Sequence, residues 1–158
     1  MGYDFHQFIM THQLAQINIA RSLAALDSPI MADFVALLNE INALAESSSG
    51  FVWRLKDDNN NATDIKAFDD DLIIVNMSVW ESVEALKDFA YQSAHTPVMR
   101  RRNEWFEQFP TAYLALWWVP IGHVPTVEEA KERLRSLDEK GNTAFAFKFR
   151  NLFPAPQM

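Results

Sequence analysis

The sequence predicts an α+β fold built on an antiparallel sheet, in a single domain that spans residues 1–158. Two observations predict it. Stretches such as LIIVNMSVW at 72–80 alternate along the chain with the two-residue period of a strand. Other stretches have the 3.6-residue period of amphipathic helices and begin with capping signals. A chain of 158 residues is long enough to bury the core of such a domain.

Composition excludes several classes of protein. The apolar share of 49% and the charged share of 22% are ordinary for a globular chain. The sequence has no cysteine, which excludes disulfides and thiolate metal sites, and no zinc spacing is present, so we expect no metal site. The net charge of −7 argues against nucleic acid as a partner. No apolar run approaches the roughly 20 residues of a membrane span, and no signal peptide is recognisable. We therefore expect no membrane association and a cytoplasmic location.

The first half of the chain predicts three strands around one helix. Residues 1–11 are expected to be a loose lead-in. The elements expected after it are a strand over 12–20, a helix from Asp27-Ser28-Pro29 to about Glu46, a strand over 51–56, a polar acidic loop over 57–71 and a strand over 72–80. In the 51–56 strand, the residues expected to share one face are Phe51, Trp53 and Leu55. The loop is either a lid or a tolerated insertion, and we favour the insertion.

The second half predicts one more strand and several helices. The elements expected here are a helix over 83–94 capped by Ser82, a helical piece over 97–109, a strand over 113–120, a helix from the capping box at Thr126 to Gly141, and a short edge strand over 144–149. The 113–120 strand is apolar on both faces, which is typical of a strand covered on both sides. The complete order is β-α-β-β-α-β followed by a helix and a short strand, the pattern of the ferredoxin-like split βαβ fold.

Alternation divides the predicted sheet into two unlike faces. The apolar face is formed by odd-numbered positions, with Ile17 and Ile19 on the first strand and Ile73, Val75, Met77 and Val79 on the 72–80 strand. The mixed face is formed by even-numbered positions, with Gln16 and Asn18 on the first strand and Asn76, Ser78 and Trp80 on the 72–80 strand. We expect both main helices on the apolar face. The mixed face is then bare but too apolar for water, which predicts a homodimer whose two sheets form a dimeric α/β barrel around a cavity.

Three segments resemble known families. The segment SVWESVEALKDF at 78–89 resembles the W-E-S-x-E-A-L-x-x-F segment of the dimeric α/β-barrel superfamily, which includes antibiotic-biosynthesis-type and haem-degrading monooxygenases. Together, SVWESVEALKDFAYQSAH, RRRNEWFEQF and WWVPIGHVPTVEEAKERL resemble an uncharacterised bacterial family, number 3291 among domains of unknown function. This second resemblance covers roughly residues 12–153. It implies the dimeric barrel fold and no established reaction.

The resemblance to haem-degrading monooxygenases suggests three catalytic candidates. Those enzymes have an asparagine on the first strand, a tryptophan at the end of the third and a histidine on the next helix, and Asn18, Trp80 and His95 occupy similar places. The histidine here lies further along the chain from the tryptophan and next to Pro97. His95 is a candidate general base or axial haem ligand, or it bridges the two helical pieces.

Binding candidates come from the residue types. Arg101 and Arg102 are suited to clamp a carboxylate, or form surface ion pairs. Asn76 shares the mixed face with Asn18, and amides on an enclosed face need partners, from water, a second subunit or a substrate. An aromatic share of 13% indicates a packed core, an interface or a ring-lined pocket. The tryptophans that we consider as pocket residues are Trp53, Trp105 and Trp118.

These observations predict a homodimer with a mixed aromatic and polar cavity that binds a small, partly aromatic molecule. If the protein is an enzyme, we expect a monooxygenase-like reaction without cofactor on an electron-rich substrate. The first alternative is a haem-binding or haem-degrading protein. The second is a non-catalytic module that binds a ligand or a partner.

Overall fold

A computed structural model describes residues 10–92 and 95–156 of the chain, without the side chains of Gln92, His95 and Thr96. Most of the predicted lead-in lies outside the described residues. The strands are β1 (His12–Arg21), β2 (Phe51–Arg54), β3 (Ile73–Trp80) and β4 (Leu114–Pro120). The α-helices are α1 (Ala32–Ser47), α2 (Val83–Gln92), α3 (His95–Arg100) and α4 (Val127–Lys140), with 3₁₀ turns at Pro29–Met31, Arg102–Glu104 and Phe149–Asn151.

The four strands form one antiparallel sheet in the order β2-β3-β1-β4. The predicted α+β class is confirmed in this form. The two central strands, β1 and β3, are paired so that Gln16 lies opposite Ser78 and Asn18 lies opposite Asn76. The register therefore brings the polar positions of the mixed face side by side at the centre of the sheet.

The apolar face of the sheet packs against α4 and the 57–71 segment. Its core residues are Ala15, Ile17, Ile19, Val75, Met77, Val79, Ala115, Trp117 and Val119, together with Ala130, Leu134 and Leu137 of α4. Ala67 is buried in the same cluster, and Ile65 and Phe68 pack against it. The segment thus contributes to the core, and Asn61, Ala62 and Thr63 also belong to the lining of the cavity described below, so a role as a lid stays a prediction. Three of the four apolar residues of the segment, Ile65, Ala67 and Phe68, lie on the sheet, while its aspartates and asparagines give it the appearance of a polar loop.

The mixed face is covered by α1 and α2. Ala45 of α1 and Leu86 of α2 share a buried cluster with Leu14, Trp80 and Leu116, which are even-numbered residues of the strands. The prediction that both main helices cover the apolar face was therefore wrong, and so was the prediction of a bare mixed face. Among the described residues both faces of the sheet are covered within one chain, so the argument for a homodimer from a bare face no longer applies.

A β-bulge in β2 changes which residues face the helices. Phe51 pairs with Trp80, whereas Trp53 pairs with Val79, and the register shifts between them. The extra residue places Phe51 on the mixed face and Trp53 on the apolar face. The prediction that these two residues share a face was wrong for this reason. Arg54, opposite Ser78, turns toward the helices and is 6% exposed.

The helix starts at Ser82 and Thr126 are confirmed by their hydrogen bonds. Ser82 Oγ accepts from the backbone N–H of Ala85 at 3.1 Å, and Thr126 Oγ1 accepts from that of Glu129 at 3.1 Å. Two other boundaries differ from expectation. The helical piece expected over 97–109 is the short α3 and a 3₁₀ turn. The edge strand expected over 144–149 is only a bridge, in which Phe147 exchanges two backbone hydrogen bonds with Leu116.

Gly50 positions α2 above the sheet. It has a φ of +83°, and a Cβ at this position would lie 2.5 Å from Cβ of Ala85. A side chain is excluded both by the positive φ and by the close approach of α2. The turn between α1 and β2 therefore packs directly against α2. Among the described residues, no helix combines the length and the apolar character needed to cross a bilayer.

Candidate functional site

A partly open cavity of about 320 Å³ lies between the mixed face and the helices α1 and α2. Its floor is the central part of the sheet. Its walls come from apolar residues of both helices, and the segments after α3 and around Asn61 complete it. The lining residues used below are Gln16, Asn18, Phe34, Arg54, Asn76, Ser78, Trp80, Phe89, Arg102, Trp105, Phe106 and Tyr113. The cavity belongs to one chain.

The floor carries a polar patch that we define as Gln16, Asn18, Asn76 and Ser78. These four residues occupy a two-by-two block on the central strands because Gln16 pairs with Ser78 and Asn18 pairs with Asn76. Gln16 Nε2 donates to Asn76 Oδ1 and to Ser78 Oγ, each at 2.7 Å. Gln16 and Ser78 are 5% and 6% exposed. Three members of the patch, Gln16, Asn76 and Ser78, therefore form a hydrogen-bonded group in which Gln16 and Ser78 are buried and Asn76 is exposed.

Part of the hydrogen-bonding capacity of the patch is unused. Ser78 Oγ also accepts from Nε1 of Trp80 at 2.8 Å. With two hydrogen bonds accepted, its own hydroxyl hydrogen is left for a further acceptor. Within the described part of the chain, the side chain of Asn18 forms no hydrogen bond, although it lines the cavity. The patch thus presents polar groups to the cavity that no described protein group satisfies.

Aromatic rings form much of the cavity wall. Trp80 stacks on Phe89 of α2 with ring centroids 5.2 Å apart, and its indole N–H is held by Ser78. Phe34 of α1 contacts Trp105 at 5.7 Å and Phe106 at 5.0 Å between centroids. Such ring pairs contribute about 0.5–1.5 kcal/mol each beyond the burial of their surface. They provide a rigid apolar wall next to the polar floor.

Two arginines line the cavity, and they differ in their partners. Arg54 is buried and donates from Nε to Glu46 Oε1 at 2.7 Å and from a terminal nitrogen to the carbonyl oxygen of Asn60 at 2.6 Å. Its charge is compensated within the chain. The side chain of Arg102 lies over the ring of Tyr113, with Cζ 5.3 Å from the centroid, and forms no ion pair or hydrogen bond with any described residue. The guanidinium of Arg102 is therefore available to a ligand.

Arg101 has a different role from its neighbour. It pairs with Glu104 at 2.7 Å and Asp33 at 2.9 Å, and it lies over Trp105 at 4.7 Å. Hydrogen bonds to Glu104 and Asp33 raise the pKa of Arg101 above its ordinary value. Of the two roles considered for Arg101, ion pairing is observed, and the residue is absent from the cavity lining.

The structure brings five of the predicted site residues together. Asn18, Asn76, Trp80, Arg102 and Trp105 all line the cavity. Two predicted tryptophans lie elsewhere. Trp53 packs on the apolar face because of the β2 bulge, and Trp118 donates from Nε1 to the carbonyl oxygen of Phe153 at 2.8 Å and is outside the cavity lining. The backbone of His95 begins α3, but its side chain lies outside the described part of the structure.

Sequence reasoning missed three residues that contribute to the site. Gln16 and Ser78 were on the predicted mixed face but were not chosen as binding residues, although alternation had already grouped them with Asn18 and Asn76. Arg54 was missed because the β2 bulge that turns it inward leaves no signal in the local pattern.

The described lining residues lack the side chains that most often ligate metal ions. They include no aspartate, glutamate, lysine or histidine. In the described ranges no group of three or more His, Cys, Asp or Glu side chains is arranged to hold a metal ion. The described lining also supplies no imidazole for the haem ligation that the resemblance suggests. We therefore assign no step to haem.

Comparisons with known proteins identify a family but no activity. None of the curated proteins matches the chain. Among solved structures, a protein of unknown function from Nitrosomonas europaea is similar with a TM-score of 0.44 and 12% identity, over 73% of this chain and 95% of that one. A protein from Pseudomonas aeruginosa is similar with a TM-score of 0.43 and 15% identity, over 74% of this chain and 99% of that one. Residues 13–158 match the family described as Domain of unknown function (DUF3291), and the chain belongs to this family.

Proposed function

We propose that this protein binds a small organic molecule in the cavity between the mixed face and the helices α1 and α2. The observation that carries the proposal is the polar patch at the centre of the sheet, which faces a cavity instead of packed side chains. The cavity volume of about 320 Å³ is within the range of small-molecule sites, about 300–1,000 Å³. Apolar walls with a few convergent polar groups are typical of such sites.

The unused hydrogen-bonding capacity of the polar patch also supports the proposal. Asn18 has no described side-chain partner, and Ser78 retains an unused hydroxyl hydrogen. Residues of this kind are explained by a ligand that completes their hydrogen bonds.

The oxidative version of the proposal is a monooxygenase-like enzyme that needs no cofactor. It is supported by the position of Asn18 and Trp80, both of which line the same cavity. In this version an electron-rich aromatic substrate stacks on the ring wall, and the amides of the patch hold its oxygen atoms. His95 is the candidate base. Oxygen consumption with electron-rich phenols tests this version, and wild-type ligand binding without oxygen uptake contradicts it.

The placement in the dimeric α/β-barrel superfamily also belongs to this proposal. It is supported by the resemblance of 78–89 and by the β2-β3-β1-β4 strand order.

A homodimer and a cytoplasmic location remain predictions. Light scattering coupled to size-exclusion chromatography measures the oligomeric state, and a monomer at micromolar concentration contradicts the homodimer. Haem binding is tested separately by titration followed in the Soret region.

A matched pair of variants tests the binding proposal itself. Ala90 of α2 lines the cavity and is partly buried, so Ala90→Trp places an indole in the space available to a ligand. Ala36 of α1 is exposed and away from the cavity lining, so Ala36→Trp is the control. A panel of small aromatic molecules should raise the melting temperature of wild type and of Ala36→Trp but not of Ala90→Trp. Equal shifts in all three proteins, or no shift in wild type, would contradict the proposal.

A further inference from the structure

We infer that the ligand of this cavity is an organic acid with an apolar body, and that Arg102 binds its carboxylate. The inference rests on the proposed function and adds the chemical class of the ligand. It is carried by three features of the described residues: an arginine without a partner, a cavity lining without acidic groups, and a polar floor with unused hydrogen-bond donors.

Five of the eight arginines, Arg102 among them, form no ion pair within the described residues, but Arg102 is the one of these five that belongs to the described cavity lining. The sequence holds 21 acidic residues against 14 lysines and arginines, so carboxylates are abundant. Arg101, the preceding residue, forms ion pairs with two carboxylates, and Arg54 forms one with Glu46. Arg102 has none among the described residues, and its guanidinium is supported only by the ring of Tyr113. A carboxylate from outside the chain would supply the missing partner.

The cavity lining favours an anion. The described lining residues carry two guanidinium groups and no acidic side chain, so a carboxylate would meet no like charge among them. Arg54 is neutralised by Glu46 and held by Asn60, which leaves Arg102 as the cation able to accept a new partner. The planar guanidinium can donate two parallel hydrogen bonds to the two oxygens of a carboxylate.

The polar floor completes the recognition. The hydroxyl hydrogen of Ser78 and the amide N–H groups of Asn76 and Asn18 have no described acceptor. These donors suit a ligand that is rich in acceptor oxygens. The rings of Phe34, Trp80, Phe89 and Trp105 suit an apolar or aromatic body. Both halves of an aromatic or aliphatic carboxylic acid therefore find complementary groups in one cavity.

The test compares acids with their neutral amides, which keep the shape and lose the charge. The probes are benzoate, phenylacetate and naphthoate, each paired with its amide, and binding is followed by tryptophan fluorescence and calorimetry. We expect wild type to bind at least one acid about tenfold or more tightly than its amide, because hydrogen bonds to charged groups are stronger than neutral ones. Arg102→Gln should reduce this preference to about equal binding.

Two further variants separate a specific role from a general charge effect. Arg101→Gln removes the same charge one residue away and should keep the acid preference. Arg102→Lys keeps the charge but not the fork of donors and should show an intermediate preference. Thermal unfolding of each variant checks that the fold is retained.

The outcomes distinguish the two proposals. Equal binding of acid and amide by wild type would overturn the inference and leave the proposed binding function intact. An acid preference that survives Arg102→Gln would also overturn the inference. If no acid and no amide binds up to millimolar concentration, the proposed function fails and the inference fails with it.

Discussion

The two faces of the sheet are covered in different ways. On the apolar face, residues such as Ile17, Met77 and Trp117 are almost completely buried beneath α4 and the 57–71 segment. On the mixed face, the helices α1 and α2 cover the sheet but leave about 320 Å³ above a polar patch. One face is packed throughout, and the other combines a smaller packed cluster with a covered cavity. The difference indicates that stability resides mainly in the apolar face and recognition in the mixed face.

The largest effect is expected from a substitution in the core of the apolar face. Ile17 is fully buried at the centre of β1. Ile17→Ala removes three carbon atoms and leaves a cavity, which we expect to lower the free energy of unfolding by about 2–5 kcal/mol. Urea unfolding followed by circular dichroism measures this. A loss below about 1 kcal/mol would mean that the apolar face is not the main source of stability.

A smaller loss is expected at the turn that holds α2 over the cavity. In Gly50→Ala the residue has a positive φ and its new Cβ lies 2.5 Å from Cβ of Ala85, so either the turn or α2 must move. We expect a loss of about 1–3 kcal/mol in the free energy of unfolding. Gly122 also has a positive φ of +88° but nothing within 4 Å, so Gly122→Ala is the control with strain alone. Equal losses at both glycines would show that the contact with α2 contributes nothing.

A substitution on the mixed face should affect ligand binding more than stability. Asn18→Leu replaces an amide without a described partner by an apolar side chain of similar size. We expect the free energy of unfolding to change by less than about 1 kcal/mol, or to rise, because no hydrogen bond is lost. Ligand binding should weaken in the same variant. A loss comparable to that of Ile17→Ala would make Asn18 a structural residue and contradict the division between the faces.

The smallest effect concerns the segment that covers the apolar face. Asp70 accepts from Arg21 Nε at 2.7 Å and from the backbone N–H of Leu72 at 2.9 Å, and these hydrogen bonds lower the pKa of Asp70 below its ordinary 3.8. The ionised carboxylate therefore stabilises the fold above that pH, and this contribution is lost as the pH falls through the lowered pKa. Melting temperatures of wild type and Asp70→Asn should differ slightly at pH 6 and converge as the pH falls below 3.8 and through the lowered pKa of Asp70. A difference that is constant with pH would contradict this role.

The sequence could predict the two faces but not what covers them. Alternation is a local property, so the grouping of Gln16, Asn18, Asn76 and Ser78 was readable without a structure. The assignment of the helices assumed that a polar face points away from them. That assumption fails when a cavity separates the helices from the sheet, because the polar residues then need no water outside the protein.

Other features depend on contacts that the local pattern does not record. The β2 bulge, which separates Phe51 from Trp53 and turns Arg54 inward, arises from pairing with β3. The 57–71 segment looked like an insertion because its few apolar residues, Ala62, Ile65, Ala67 and Phe68, have no regular period. The different partners of Arg101 and Arg102 depend on the side chains of Asp33 in α1 and of Tyr113, the residue before β4.

The most direct test of the division between the faces is a nitrogen–proton NMR titration of the wild-type chain with naphthoate. The side-chain amides of Asn18 and Asn76 and the indole N–H groups of Trp80 and Trp105 report on the cavity, and the indoles of Trp53 and Trp117 report on the apolar face. We expect the four cavity signals to shift with one saturating curve while the other two stay in place. Shifts of Trp53 or Trp117 without shifts of the amides would contradict a ligand site on the mixed face.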